Sequence, residues 1–164
     1  MCVMNGDFVA GCIEKEINKD IQTQPCGFDL TIKEIYEFGG AGSIGFSNKN
    51  LPECIKIFDS NSDNVTDKIL LKRGAYKIVF NEIVKIPKNC IGLVFPRSTL
   101  LRMGCEIHTA VWDPGYIGRG EALLNVFNAH GIYIEKNTRI CQMILLEADN
   151  PLKAYNGDYQ YSNM

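Results

Sequence analysis

A single carboxylate, Asp113, lies in a turn-forming stretch that could serve catalysis. Residues 110–121 read AVWDPGYIGRGE, in which Pro114 presets φ and Gly115 can adopt a positive φ without a Cβ clash. A carboxylate held in such a turn can act as a general base on an ordered water. It can equally be a solvated turn residue that does no chemistry, and the spacing alone leaves both interpretations open.

A second polar stretch, VFPRSTLLRMG at residues 94–104, contains residue types that bind polyphosphates. Its proline disfavours helix in the preceding residue, so RSTLLR is predicted to form a short helical turn. Ser98 and Thr99 then lie at its start, where free backbone N–H groups favour anions. Arg97 and Arg102 flank them and can make bidentate contacts with phosphate oxygens. The alternative is that both arginines are solvated surface charges.

Polar and aromatic residues return near the C-terminus. Arg139 and Gln142 lie in NTRICQMILL, and KAYNGDYQYSN contains three tyrosines in seven residues. Because residues 150–164 include few aliphatic side chains, they are predicted to be either an arm that closes on another part of the structure or a frayed terminus. Neither His108 nor His130 has metal-ligand spacing, so both are expected to be structural.

Short runs of β-branched and aromatic residues, separated by Gly, Pro and Asn, dominate the chain after Pro25. They read FDLTIKEIYEF, KIVFNEIVKI, CIGLVF, EALLNVFN, GIYIEKNTRI and CQMILLEAD. The regular spacing of these short runs predicts an all-β sandwich or barrel. We expect one domain over residues 1–164, with a short helical segment in residues 1–21. FGGAGSIGFSNKNLP and FDSNSDNVTD are expected to be surface loops. The G-x-G-x-x-G match in GAGSIG precedes no helix-forming segment, so it does not predict a dinucleotide site.

Composition narrows the classes of function. The net charge is −2, which does not favour broad nucleic-acid binding, and no apolar run is long enough for a membrane span. Seven cysteines without a C-x-x-C pair lie partly in apolar runs and indicate reduced thiols rather than zinc ligands. The sequence therefore predicts a soluble cytoplasmic protein, in which the Asn-x-Thr pattern at Asn64 is a chance match.

Five motifs occur in an order that resembles the trimeric dUTPase and dCTP deaminase superfamily, and in particular its archaeal-type dUTPases. They read QPCGFDL, PRSTLLRMG, WDPGYIGRG, NTRICQMIL and AYNGDYQ, and they cover about residues 22–161. The resemblance implies a distorted jelly-roll β-fold (the dUTPase-like β-clip) and a homotrimer with active sites at subunit interfaces. It also implies a deoxynucleoside triphosphate substrate bound with Mg²⁺.

The resemblance assigns roles to residues of the middle motifs. Asp113 matches the acid that activates the attacking water in dUTPases, and Tyr116 matches the ring that packs on the deoxyribose. Arg97 and Ser98 match a phosphate-binding pair. Arg102 matches a second arginine found in the deaminase-type branch.

Further matches lie in the first and last motifs. Arg139 and Gln142 match the R-I-x-Q motif of the substrate site. Tyr155 and Gln160 match tail residues that close over the triphosphate in the deaminase-type branch. Asp29, in the first motif, is expected to support the fold and the subunit interface rather than the chemistry.

The chain departs from the family pattern at three places. The deaminases carry a glutamate where this chain has Asn125, and an amide does not accept a proton near neutral pH. The nearest carboxylate, Glu121, lies beside an apparent insertion at 119–120 and is expected on the opposite strand face unless a bulge intervenes. Asp158 replaces a lysine of deaminase-type tails. Asn137 replaces a glycine but can adopt the left-handed conformation.

The residues and the resemblance together predict a dUTP diphosphatase that converts dUTP to dUMP and pyrophosphate. Asp113 would be the general base, and Mg²⁺ would be held mainly by the triphosphate. Uracil is expected to be read by backbone groups around residues 108–111. Two alternatives stay open: a dCTP deaminase or bifunctional deaminase-dUTPase, and a nucleotide-sensing trimer that binds without turnover.

Overall fold

Strands dominate the structure, a computed structural model that describes residues 2–62, 67–151 and 153–164. One sheet contains nine strands, and two further sheets contain two strands each. The described residues also form three short helices. In chain order the elements are α1 (Gly6–Ala10), β1 (Ile13–Glu14), α2 (Lys19–Gln22), β2 (Thr23–Gln24), β3 (Gly27–Phe38), β4 (Ser43–Ile44), β5 (Lys49–Asn50), β6 (Cys54–Asp59), β7 (Lys68–Leu71), β8 (Gly74–Lys85), β9 (Cys90–Pro96), α3 (Ser98–Arg102), β10 (Cys105–His108), β11 (Ile117–Val126), β12 (Ile132–Glu135) and β13 (Arg139–Glu147).

The large sheet curves until its ends meet. Its main path runs β10-β11-β8-β3-β13-β9, and neighbouring strands along it are antiparallel. An isolated antiparallel bridge between Gly92 of β9 and Trp112, which precedes β11, joins the two ends of this path. Closure of this kind removes exposed sheet edges. The predicted all-β, distorted jelly-roll class is confirmed.

The core lies inside the curved sheet. In β11 the even-numbered residues from 118 to 126 are buried and the odd-numbered residues are more exposed, the alternation that a strand with one covered face produces. β8 is buried almost throughout from Ile78 to Val84, because other elements cover it on both faces. Phe28, Phe58 and Phe80 are among the largest fully buried side chains.

Two short helices form the N-terminal segment. Asn5 caps α1 and Asn18 caps α2, since each side chain accepts a backbone N–H from the first turn. Between the helices, β1 pairs with β8 and brings Ile13 into the core. The segment is therefore helical only in two stretches, and the first ends at Ala10, with Gly11 as its C-cap.

The predictions for loops and turns agree with the structure in part. The glycine-rich segment after β3 is exposed, as predicted, and contains the short β4–β5 pair, and no helix begins in it. The predicted surface loop FDSNSDNVTD begins instead with Phe58, which is buried near the end of β6, and residues 63–66 of this segment lie outside the described part of the chain. Asn137 adopts a φ of 56°, as predicted. The Asn64 pattern lies outside the described residues. All seven cysteines are free thiols, and no helix in the described ranges combines the length and apolarity of a membrane span.

A buried carboxylate, Glu82 of β8, lies at the centre of a hydrogen-bonded network. Its Oε1 accepts from Gln22 Nε2 at 2.7 Å and from Thr31 Oγ1 at 2.6 Å, and its Oε2 accepts from the Thr31 backbone N–H at 2.9 Å. Gln22 Nε2 also donates to the backbone carbonyl of Asp29 at 2.8 Å. Burial raises the pKa of Glu82, and the donors of Thr31 and Gln22 oppose that rise.

We expect Glu82→Gln to change how stability depends on pH. Because the pKa of Glu82 is raised in the folded state, the stability linked to its neutral form is fully present below the ordinary value of 4.5 and is lost as pH rises through the raised pKa. Glutamine does not titrate. The difference in free energy of unfolding, unmodified protein minus variant, should therefore fall as pH rises. Urea titrations between pH 4 and 8 measure this difference. Parallel pH profiles would contradict this prediction.

Candidate active site

The turn around Asp113 forms as predicted. Gly115 has a φ of 85°, and the Tyr116 N–H donates to the Asp113 carbonyl at 3.1 Å to close the turn. The Gly115 N–H donates to the Ile86 carbonyl at 3.0 Å and so ties the turn to the end of β8. The Asp113 side chain is exposed. A rigid turn therefore presents an accessible carboxylate.

Aromatic rings form the wall behind this turn. Trp112 and Tyr116 stack with their centroids 6.3 Å apart and their planes at 11°, and Phe80 meets Trp112 edge-on at 6.2 Å. Gly120 lies directly against the indole, and a Cβ there would overlap the Trp112 ring. Tyr116 is 5% exposed, so its position is set by packing. The second glycine of the G-R-G step is thus required by the wall.

A cavity of about 570 Å³ opens beside Asp113, and we call it the Asp113 cavity. Its volume lies within the range typical of small-molecule sites. Its walls combine apolar, aromatic and a few charged side chains. It is lined by Leu51, Lys77, Ala110, Val111, Trp112, Asp113, Tyr116, Glu121, Tyr155, Tyr159, Ser162 and Asn163.

The arm packs against its own chain at this cavity. Gln160 accepts from the Ile117 N–H through Oε1 and donates from Nε2 to the Gly115 carbonyl, both at 3.1 Å. The Tyr155 ring meets the Tyr116 ring edge-on, with centroids 5.6 Å apart. Tyr116 Oη and Ser162 Oγ lie 3.1 Å apart. Of the two predicted alternatives, the structure therefore favours the arm that closes on the fold rather than the frayed terminus.

Asp158, the unusual acid of the arm, has a partner on the β4–β5 pair. Lys49 Nζ lies 2.7 Å from Asp158 Oδ2 and 4.4 Å from the centroid of the Tyr159 ring. Both charged groups are exposed, so this ion pair contributes little to stability. It does connect the glycine-rich hairpin with the arm at the cavity.

Two arginines converge on the buried carboxylate of Asp29. Arg97 Nε and Arg139 Nη1 each lie 3.2 Å from Asp29 Oδ2, and the Asp29 side chain is 2% exposed. Burial raises the pKa of Asp29, and the two guanidinium charges oppose that rise. We call these three residues the arginine cluster. Asp29 acts in it as a support that holds both arginines.

The other predicted phosphate-binding residues lie next to this cluster. α3 begins directly after Arg97, which confirms the predicted helical turn, and Ser98 and Thr99 are exposed in its first turn. Arg102 is exposed in the last. Gln142 lies opposite Asp29 in the register of β13 with β3.

A single chain does not bring Asp113 and the arginine cluster together. The bridge between Gly92 and Trp112 places Asp113 beside β9, whereas Arg97 follows the far end of that strand, separated by about 17 Å of extended chain. Of the described residues that line the Asp113 cavity, none belongs to the arginine cluster or to α3. The predicted site residues thus form two sets. The set around Asp113 consists of Asp113, Tyr116, Tyr155 and Gln160. The phosphate-binding set consists of Arg97, Ser98, Thr99, Arg102, Arg139 and Gln142.

Glu121 and Asn125 lie on the same face of β11, so the expectation of opposite faces is wrong. Their positions differ by four, an even number, and side chains along a strand alternate between the two faces. The register shift near Glu121 places the extra residues on β8 rather than on β11. Asn125 donates to Glu106 Oε1 at 3.3 Å, and Glu121 lines the Asp113 cavity.

No motif in the sequence pointed to Lys77, which reaches the cavity from β8. Its Nζ lies 3.1 Å from Glu121 Oε1 and 4.6 Å from the centroid of the Tyr36 ring. Lys77 looked like an ordinary exposed position of a strand. Only the pairing of β8 with β11 shows that it faces a cavity.

Comparisons with known proteins identify relatives over most of the chain. A protein of Aeropyrum pernix, named "Probable deoxyuridine 5'-triphosphate nucleotidohydrolase", is 45% identical over 138 residues, which cover 84% of each chain. A protein of Methanocaldococcus jannaschii, named "Deoxyuridine 5'-triphosphate nucleotidohydrolase", is 43% identical over 141 residues, 85% of this chain and 87% of the relative.

A solved structure supports the same fold. The 2'-deoxycytidine 5'-triphosphate deaminase from Agrobacterium tumefaciens superposes with a TM-score of 0.66 at 14% identity, over 87% of this chain. The matched part is 47% of that chain, so this protein spans about half its length. The family model described as dCTP deaminase-like matches residues 6–148. The chain therefore belongs to the dCTP deaminase-like family, within the dUTPase and dCTP deaminase superfamily.

Proposed function

We propose that this protein is a dUTP diphosphatase that hydrolyses dUTP to dUMP and pyrophosphate. The observation that carries the proposal is the placement of Asp113, an exposed carboxylate on a hydrogen-bonded turn at a cavity backed by the Tyr116 ring. The archaeal relatives named deoxyuridine 5'-triphosphate nucleotidohydrolases support dUTP as the substrate. Such an enzyme limits uracil in DNA and supplies dUMP for dTMP synthesis.

Asp113 acts as the general base in the proposed mechanism. It accepts a proton from a water whose oxygen bonds to the α-phosphorus, while the bond from that phosphorus to the bridging oxygen of pyrophosphate breaks. The closed turn keeps the carboxylate in position, which reduces the entropy lost on reaching the transition state. Tyr116, fixed against Trp112, would pack on the deoxyribose and leave little room for a 2'-hydroxyl once the arm residue Tyr155, which covers its ring in this structure, moves aside.

The phosphate-binding set of residues binds the triphosphate and neutralises its charge. Arg97 and Arg102 provide guanidinium donors, and Ser98 and Thr99 provide hydroxyl groups in the first turn of α3. Bound Mg²⁺ would offset the negative charge that grows on the leaving pyrophosphate. In this proposal the triphosphate itself would hold most of the Mg²⁺ ligands. The described residues include no cluster of three or more His, Cys, Asp or Glu side chains that could hold a metal ion.

The active site in this proposal forms between the subunits of a homotrimer. The set of residues around Asp113 would come from one subunit and the phosphate-binding set from another. The placement of Asp113 near Gly92 of β9 and of Arg97 after the far end of that strand supports this division. Tyr155 and Gln160 would close over the bound triphosphate. A cytoplasmic location belongs to the same proposal and is supported by seven free thiols.

Mixing two inactive variants tests the shared site. We expect Arg102→Ala to lose about 100-fold in kcat, the cost of removing one donor to developing charge, and Asp113→Asn to lose at least as much. If the two variants are denatured, mixed in equal amounts and then refolded together, about a quarter of the sites should combine an intact Asp113 with an intact Arg102. Recovery of pyrophosphate release to that fraction supports the interface site. No recovery would contradict it, provided that a refolded unmodified protein regains its activity.

Product analysis tests the proposed reaction against the alternatives. The purified protein is incubated with dUTP or dCTP, with and without Mg²⁺, and pyrophosphate and ammonia are measured. We expect Mg²⁺-dependent pyrophosphate release from dUTP and no ammonia from dCTP, because Asn125 replaces the deaminase glutamate. Ammonia release would establish the deaminase instead. Binding of dUTP without either product would establish the sensing trimer.

A further inference from the structure

Strand β3 changes its pairing partner between Thr31 and Ile32. It pairs with β13 up to Thr31 and with β8 from Ile32 onward. Such a change leaves backbone groups without a partner in the sheet, and buried groups of this kind need another one. Glu82 Oε2 accepts from the Thr31 N–H at 2.9 Å, and Asn81 Nδ2 donates to the Ile32 carbonyl at 3.0 Å. Two neighbouring side chains of β8 therefore hold the place where β3 changes its partner.

Arg139 of the arginine cluster lies directly opposite this place, on β13. It pairs with Thr31, and the register shifts between Arg139 and Cys141, which is a bulge in β13. A bulge redirects the side chains beside it, so the ladder alone does not fix where Arg139 points. Arg97 depends on the same backbone, because its Nη1 donates to the Arg139 carbonyl at 3.3 Å. Contacts that fix this part of β13 therefore position both arginines.

One chain of hydrogen bonds leads from Glu82 to the arginine cluster through Gln22. Gln22 Nε2 donates both to Glu82 Oε1 and to the carbonyl of Asp29, the residue whose carboxylate contacts both arginines. Gln22 is also the last residue of α2. The preceding residue, Ile21, accepts from Arg139 Nη1 through its carbonyl at 2.9 Å. Glu82 thus anchors the helix end and the strand that hold Arg139.

A second chain leads to the same arginine through Thr31. Thr31 Oγ1 donates to Glu82 Oε1 at 2.6 Å and accepts from Asn81 Nδ2 at 3.0 Å. Asn81 Nδ2 also lies 3.0 Å from Asn137 Oδ1. Asn137, with its φ of 56°, forms the turn two residues before Arg139. The two chains therefore approach Arg139 from different elements and meet at one carboxylate.

We propose that Glu82 is a positioning residue, which sets the arginine cluster in the geometry that binds a triphosphate. Glu82 is fully buried and acts on a ligand only through Arg97 and Arg139. Three donors directed at its two oxygens hold its carboxylate in one orientation. This inference rests on the proposed function, because the ligand is the same nucleotide. Its effect is confined to the phosphates, since the sugar and base lie with the set around Asp113.

Comparison of two nucleotides separates positioning from a general loss of stability. Calorimetric titration measures the dissociation constants of a non-hydrolysable dUTP analogue and of dUMP. In Glu82→Gln one donor meets an amide nitrogen that cannot accept, so we expect the analogue to bind about tenfold more weakly, the effect of about one misplaced charge-assisted hydrogen bond. The affinity for dUMP, which lacks the β- and γ-phosphates, should stay within about threefold. Equal losses for both nucleotides, or an unchanged affinity for the analogue, would overturn the proposal.

Three further variants test the second chain of hydrogen bonds without altering the carboxylate. Thr31→Val removes the hydroxyl and keeps a branched side chain, and it should also weaken binding of the analogue about tenfold. Thr31→Ser retains the hydroxyl and should recover most of the affinity. Tyr76→Phe is the matched control, because it removes a hydrogen bond from another buried side chain of β8, to the Lys72 carbonyl, and should leave the affinity unchanged. If Thr31→Val binds the analogue as the unmodified protein does, the proposal fails.

A double-mutant cycle shows whether Glu82 acts through the arginine cluster. Arg97→Ala, Glu82→Gln and the variant with both changes are titrated with the same analogue. Because Glu82 acts through Arg97, its replacement should weaken binding by no more than about threefold once Arg97 is absent. Fully additive losses would overturn the proposal. These titrations require no turnover, so their result is separate from the pyrophosphate assay that tests the proposed reaction.

Discussion

Replacing Asp113 with asparagine is expected to lower kcat for dUTP hydrolysis by about 100- to 10,000-fold, the range that general base catalysis typically contributes. Asparagine has nearly the same shape, and the turn is closed by backbone hydrogen bonds rather than by the side chain. The fold should therefore be unaffected. The measurement is steady-state pyrophosphate release at saturating dUTP with Mg²⁺.

Binding provides the control for this variant. The dissociation constant of a non-hydrolysable dUTP analogue should change by no more than about threefold, since the loss is confined to the transition state. Glu106→Gln, which alters a partly exposed acid outside the turn, gives a matched comparison. Activity of Asp113→Asn within threefold of the unmodified protein would remove the central assignment.

Replacing Trp112 with alanine is expected to lower the free energy of unfolding by about 3–5 kcal/mol, the usual cost of truncating a buried aromatic residue. Trp112 is 6% exposed, contacts Phe80 and Tyr116, and fills the space that Gly120 leaves. The Tyr116 ring would lose its stacking partner, so kcat/KM for dUTP should fall as well. Denaturant unfolding followed by circular dichroism measures the first effect.

An exposed apolar residue serves as the control for Trp112. Ile55 of β6 is 53% exposed, and Ile55→Ala should change the free energy of unfolding by no more than about 0.5 kcal/mol. Both variants are compared at one protein concentration, because subunit association would shift apparent stability. A loss of less than 1 kcal/mol in Trp112→Ala would show that the wall behind Asp113 is not a structural element.

Much of the fold was predictable because its signals are local. The Pro-Gly turn at Asp113, the short helix after Arg97 and the left-handed Asn137 each follow from the conformational limits of a few adjacent residues. β7 and β10 were not among the predicted strand runs, although β12, which is equally short, lay within one. Glu82 illustrates a deeper limit: its strand was predicted, but its burial depends on Gln22 and Thr31, which come from other elements.

The candidate site was predictable in its parts and not in its assembly. Asp113 and Tyr116 are neighbours in sequence, so one motif identifies both. The distance between Asp113 and Arg97 depends instead on how β9 meets Trp112, a long-range pairing that no motif encodes. The ion pair of Lys77 and Glu121 could not be predicted from the sequence either, because only the pairing of β8 with β11 brings the two residues together.

The stacked position of Trp112 has a practical consequence for every experiment on this site. It is the only tryptophan of the chain, and it lies next to Asp113 with its ring parallel to that of Tyr116. Its emission under selective excitation therefore reports on one place, the wall of the Asp113 cavity. Ligand entry, closure of the arm and loss of the wall on unfolding can each be followed by intrinsic fluorescence, without an attached dye.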